Sequence, residues 1–140
     1  LMQVPMVQHL LPAGQRVGII TIAKDALTKD HLSAAGVPLD TPIVGTDSGT
    51  CFTRDILNDA IEIDIDQCRL DMSEAATRLI TDFPEVGAIV LECTNMVPYA
   101  QDIRMQTGRA VFSIYSFVTW FQSGLAPTAF AARLHDPRWD

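Results

Sequence analysis

Cysteine and histidine are scarce, three residues of each, and neither is spaced as a disulfide or metal framework. Cys51, Cys68 and Cys93 are odd in number and lack scaffold spacing, which points to a reducing compartment and hence to the cytoplasm. No CxxC or CxxH pair occurs, and His9, His31 and His135 lie far apart, so no structural zinc or other metal site is expected. Long apolar runs are also missing. Val17 to Ile20 and Val86 to Leu91 are strand-sized, far below the ~18–20 residues that cross a bilayer, so no membrane partner is expected. Leu1 to Pro5 lack the basic start of a secretory signal. There is no excess of positive charge: 10 Lys and Arg against 17 Asp and Glu give a formal net charge of −7, which argues against nucleic acid. A glycine-rich phosphate loop, an internal repeat and a low-complexity tract are likewise absent.

What is there reads as one globular domain. Of 140 residues, 48% are hydrophobic and 19% charged. Leu1 to Leu11 carries an apolar stripe at helical spacing, ended by Pro12-Ala13-Gly14. Arg16 to Ile22 is a continuous run rich in β-branched residues, as in a strand covered on both faces. Asp25 or Thr28 can cap a helix running to Ala35, with Gly36 at its left-handed end. Pro42 to Val44 is a short strand, followed by the polar loop Gly45–Thr50. Phe52 to Leu57 predicts a short helix. Ile65 to Phe83 predicts a longer one whose buried stripe is Ile65, Cys68, Met72, Ala75, Ala76, Leu79 and Ile80.

Pro84 stops that helix, and Gly87 to Leu91 is the third strand. After the loop Glu92–Asn95, Pro98 starts a helix that Gly108 ends. Ala110 to Ile114 is the fourth strand. Ser113 or Ser116 caps an aromatic-rich helix through Phe121, closed by Gly124. Alternation of this kind predicts an α/β fold, a four-stranded parallel sheet flanked by helices. Residues 1–125 form the domain and 126–140 a C-terminal tail.

In parallel sheets ligands bind at the carboxyl ends of the strands. Of the loops there, Glu92–Asn95 is the one that offers a nucleophile or base followed by hydrogen-bond donors. Backbone N–H groups after Cys93 would face an anion, and positive potential at a helix start would lower the thiol pKa. The alternative is a small apolar filler at a strand end. Cys68 falls on a buried stripe and reads as core. Cys51 borders the Gly45–Thr50 loop. His9, His31 and His135 read as surface or packing residues, and Asp64, Asp66, Asp102 and Arg104 as solvated faces. Trp120, Phe117 and Phe121 read as a core or interlobe stripe. Glu92 either raises the thiol pKa or points away.

The segment Val86-Gly87-Ala88-Ile89-Val90-Leu91-Glu92-Cys93-Thr94-Asn95-Met96 resembles the second cysteine motif of the aspartate/glutamate racemase superfamily, a strand followed by Cys-Thr and a polar residue. Arg16 to Thr21 and Val111 to Ile114 resemble strands of the same lobe. The resemblance implies one lobe of a two-lobe racemase-like fold, acting without a cofactor at a carbon next to a carboxylate. Two thiols on opposite faces remove and return the proton. It makes Cys93 one of the pair and gives substrate binding to Thr94, Asn95, Thr21 and Thr46. The other cysteine of the family lies in the upstream lobe. Leu1 is not an initiator, so a missing first lobe is expected. Asn95 stands where some amino-acid racemases have His, which leaves the small carboxylate substrate open between amino acids, hydantoins, arylmalonates and maleate.

Two function classes follow: an isomerase lobe using Cys93, and a catalytically incomplete domain that binds a small carboxylate or dimerises. A homo-oligomer is expected in either case, because an isolated lobe would expose its cleft-facing apolar surface.

Overall fold

The computed structural model describes residues 1–129. The larger part of the expected tail, with His135, lies outside the described residues. The elements in chain order are α1 (Gln3–Gln8), β1 (Arg16–Thr21), a 3₁₀ turn (Lys24–Ala26), α2 (Lys29–Ala34), β2 (Ile43–Gly45), α3 (Phe52–Leu57), α4 (Ile65–Asp82), β3 (Val86–Leu91), a 3₁₀ helix (Thr94–Tyr99), α5 (Ala100–Thr107), β4 (Ala110–Phe112) and α6 (Ile114–Leu125). The four strands form one parallel sheet in the order β2-β1-β3-β4.

Both faces of the sheet are covered, as continuous apolar strands require. On one face Val17, Ile19, Ala88 and Val90 meet Val4 and Val7 of α1 and Leu32 of α2. On the other, Ile20, Ile89 and Leu91 meet Met72, Ala75, Ala76 and Leu79 of α4 and Ile103 of α5. Phe52 of α3 closes this second layer edge-on against Tyr99, with ring centroids 5.8 Å apart. Left-handed glycines end two helices: Gly36 (φ 66°) after α2 and Gly108 (φ 67°) after α5.

Several ends differ from expectation. Thr28, not Asp25, precedes α2; its N–H donates to His31 Nδ1 (3.2 Å), while Asp25 lies in the preceding 3₁₀ turn. Ile65 is exposed, because the core does not reach the first turn of α4. Helical backbone after β3 begins at Thr94 rather than Pro98, so the proline sits inside a 3₁₀ segment leading into α5. β4 stops at Phe112, because Ser113 turns to cap α6 and donates its N–H to Ser116 Oγ (2.9 Å). α6 runs through Gly124 to Leu125. A glycine in a last turn costs only about 1 kcal/mol, and Ala126 N–H still reaches Gln122 O (2.9 Å). No residue of α6 is buried. Tyr115, Val118, Trp120, Phe121 and Leu125 face outward, so the aromatic stripe is not core. Among the described residues no helix is long and apolar enough to cross a membrane.

Candidate functional site at the carboxyl edge of the sheet

The strand order makes a switch point between β1 and β3. The chain leaves β1 toward β2 on one side, then returns past it to β3 on the other. The crevice outside the carboxyl ends of such a strand pair is where open α/β sheets bind ligands. Here that edge presents Thr21 at the end of β1 and Glu92-Cys93 just after β3.

Backbone pairing fixes these groups. Glu92 N–H donates to Ile20 O (2.9 Å), carrying the ladder one residue past β3, and Thr21 Oγ1 donates to Glu92 Oε2 (3.1 Å). Glu92 therefore points toward β1, which its position in the sequence left undecided. From β2, Thr46 N–H donates to Thr21 O (3.0 Å). Thr46 Oγ1 reaches Ile22 O (3.3 Å) and Thr53 Oγ1 (3.0 Å). The hydroxyls of Thr21 and Thr46 are thus both engaged within the protein. Thr94 and Asn95 are exposed.

Cys93 is half-buried, in extended backbone (φ −81°, ψ 136°) at the start of the 3₁₀ helix. Its thiol pKa is raised, which corrects the expectation of a lowered one. Burial is the main cause; the Asn95 N–H bond opposes it, and the nearby charge of Glu92 adds to it. One backbone donor does not offset desolvation of the thiolate. A concavity of about 430 Å³ adjoins the edge, lined by Thr21, Ile22, Glu92, His31 and the amino-terminal Leu1 and Met2. Cys93 is not among its lining residues. His9 and His31 are exposed, as read from the sequence.

The other two thiols lie elsewhere. Cys51, immediately before α3, and Cys68 on α4 are buried between those helices. Cys51 Sγ donates to Asp55 Oδ2 (2.8 Å), whose other oxygen takes a hydrogen bond from Arg54 Nε (2.6 Å). That bond and burial push the Cys51 thiol up to about 12. Burial also raises Cys68, while Arg54 first and Cys51 second hold Asp55 low. Spacing did not reveal this group, because Asp55 and Cys68 lie on different helices.

Sequence reading also missed Asp71, a carboxylate on α4 that is 3% exposed. Its Oδ2 accepts Cys51 N–H (2.7 Å) and Phe52 N–H (2.8 Å); its Oδ1 accepts Thr50 N–H (3.1 Å) and Gln67 Nε2 (3.1 Å). It therefore fixes the end of the Gly45–Thr50 loop and the start of α3. An acidic residue on an amphipathic helix gives no local sign of such partners.

No family model and no solved structure matches the chain. Part of it is similar to a dimethylsulfoniopropionate lyase from Durusdinium sp. clade D, 27% identical over 62 residues. The match takes in 44% of this chain and 21% of that protein, so the chain spans about a fifth of the relative's length.

Proposed function

We propose that this chain is a racemase-like lobe acting without a cofactor at the carbon next to a carboxylate, with Cys93 as one of two acid/base groups. The observation that carries this is the position of Cys93. It follows β3 at the switch point, beside Thr21 and Glu92, where the fold class places ligands. Its raised pKa suits one half of the chemistry. At neutral pH the thiol keeps its proton, so Cys93 is the member that delivers a proton to the planar intermediate, while a base on the opposite face removes one. Thr94 and Asn95, exposed just beyond it, provide donors for the substrate carboxylate and for charge developing on it. The similarity to a lyase named for a substituted propionate agrees with a small carboxylate as substrate.

A second reading has its own support. Cys51 and Cys68 are buried between α3 and α4, so neither faces Cys93 as the opposing thiol. The chain by itself then binds a small carboxylate or pairs through the exposed face of α6 without catalysing exchange. Incubation of the assembled site, the chain joined by a complementary lobe or by a second copy that closes its cleft, in deuterated water with a panel of amino acids and substituted propionates separates the two. Proton NMR should show deuterium entering next to the carboxylate, and Cys93→Ala should abolish it. Exchange that survives Cys93→Ala overturns the role of the thiol. Binding without exchange in that assembled site establishes the second reading.

A further inference from the structure

We propose that Cys51, Asp55 and Cys68 form a buried binding site for a thiophilic divalent cation of the zinc class, apart from the Cys93 edge. Two thiol sulfurs and a carboxylate oxygen converge there, every pair within 4.8 Å. All three residues are sealed, at 2%, 7% and 0% exposure. Zinc bound tetrahedrally, with Zn–S near 2.3 Å and Zn–O near 2.1 Å, would hold its ligand atoms about 3.5–3.8 Å apart. The cluster reaches that spacing by a contraction of about 1 Å at its widest and a small opening of the 2.8 Å contact between Cys51 Sγ and Asp55 Oδ2.

The surroundings suit such an ion in donor type, orientation and charge. Thiolates favour zinc over magnesium and calcium, which take oxygen ligands. Cys51 immediately precedes α3 and Asp55 lies one turn into it, with the thiol bonded to the carboxylate, and Cys68 faces them from the second turn of α4. The ligands are themselves held. Asp71 accepts the Cys51 N–H, and Arg54 donates to the outer oxygen of Asp55. Outer contacts of this kind orient metal ligands. Binding replaces two S–H protons with two S–metal bonds and releases both protons to solvent. Two thiolates and one carboxylate are then balanced in sum by the divalent ion and the Arg54 guanidinium beside Asp55. The fourth position falls to water or to the Asp64 carbonyl, which lies 3.8 Å from Cys51 Sγ. Such an ion ties α3 to the start of α4 across the exposed loop 58–64.

The test uses the full chain, reduced with a phosphine, stripped with a chelator and titrated with cobalt(II). A thiolate-to-cobalt charge-transfer band should saturate at one equivalent. Zinc should displace the cobalt, and magnesium or calcium should not. Cys93→Ser should keep the band and Cys68→Ser should lose it. Because Cys68→Ser can also weaken folding, the unsubstituted chain gives an independent readout by slow alkylation and peptide mass spectrometry. Zinc at about ten times its dissociation constant should slow modification of Cys51 and Cys68 about tenfold and leave Cys93 unchanged. No band, displacement by calcium, a band retained in Cys68→Ser, or zinc protection confined to Cys93 overturns the site.

Discussion

Replacing Asp71 by Asn removes a charge and little volume, which isolates the electrostatic part of its role. The carboxylate accepts two short N–H bonds at Oδ2 and three longer bonds at Oδ1. An amide can keep only one acceptor oxygen, and its NH₂ must then face backbone donors. At least one N–H, that of Thr50 or those of Cys51 and Phe52, loses its partner, at about 1–3 kcal/mol, and the bonds that remain weaken from charged to neutral, at about 1 kcal/mol more. The expected loss is about 3 kcal/mol, measured by urea unfolding followed by circular dichroism. Acidity supplies a second check. Burial raises the Asp71 pKa, but the N–H groups of Phe52, Cys51 and Thr50 outweigh it, and the net shift is downward. A depressed folded-state pKa gives stability that is complete above the unfolded value of about 3.9 and lost as pH falls through the folded value. The gap between the unsubstituted chain and Asp71→Asn should therefore be constant near neutral pH and narrow in acid below the ordinary carboxylate range. A gap under about 1 kcal/mol at neutral pH, or one that does not narrow in acid, refutes the assigned role.

Three further outcomes follow from the packing around these segments. Gly49→Ala would set a Cβ 2.5 Å from Asp71 Cγ, so it should cost about 1–3 kcal/mol in the same urea assay; a change within 0.5 kcal/mol would show that the loop yields freely. Leu79→Ala, at a fully buried position beneath the sheet, should cost about 2–5 kcal/mol, while Ile61→Ala, at 101% exposure, should stay within about 0.5 kcal/mol. The iodoacetamide reactivity of Cys93 should rise only at pH above the ordinary thiol range. Glu92→Gln should move that profile to lower pH by removing the charge that disfavours the thiolate, and an unmoved profile would detach Glu92 from the thiol.

The sheet was legible because parallel strands buried on both faces carry unbroken β-branched runs, and Arg16–Thr21 and Val86–Leu91 have no other good solution. Helix ends were legible where backbone chemistry is local, as at Gly36, Gly108 and Pro84. The carboxyl edge could be placed for the same reason: once the strands are placed, Thr21 and Cys93 must sit at their ends. What escaped depends on distant partners. Asp55 and Asp71 look like solvent-facing acids in helical sequence, yet a neighbouring arginine and thiol satisfy one, and N–H groups from another segment the other. The direction of the Cys93 pKa shift was not legible, because desolvation depends on tertiary packing, while the favourable N–H is a local feature. The apolar residues of α6 carry the spacing of a buried helix, and periodicity alone cannot say what covers them.

Asp71 also links the two regions in which chemistry is proposed. The segment that it pins at Thr50, Cys51 and Phe52 has the Gly45–Thr50 loop on one side and α3 on the other. The loop carries Thr46, which hydrogen-bonds to Thr21 at the carboxyl edge. The helix carries Asp55, while Cys51 itself belongs to the buried cluster. A carboxylate that ligates nothing thus sets the position of both groups. Loss of its charge should weaken cobalt binding at Cys51 and Cys68 and loosen Thr46 at the edge together. Cys68→Ser, which leaves Asp71 and its donors in place, should remove the metal ligand without loosening Thr46 at the edge. The pair of variants separates damage to a ligand from damage to the scaffold that holds it.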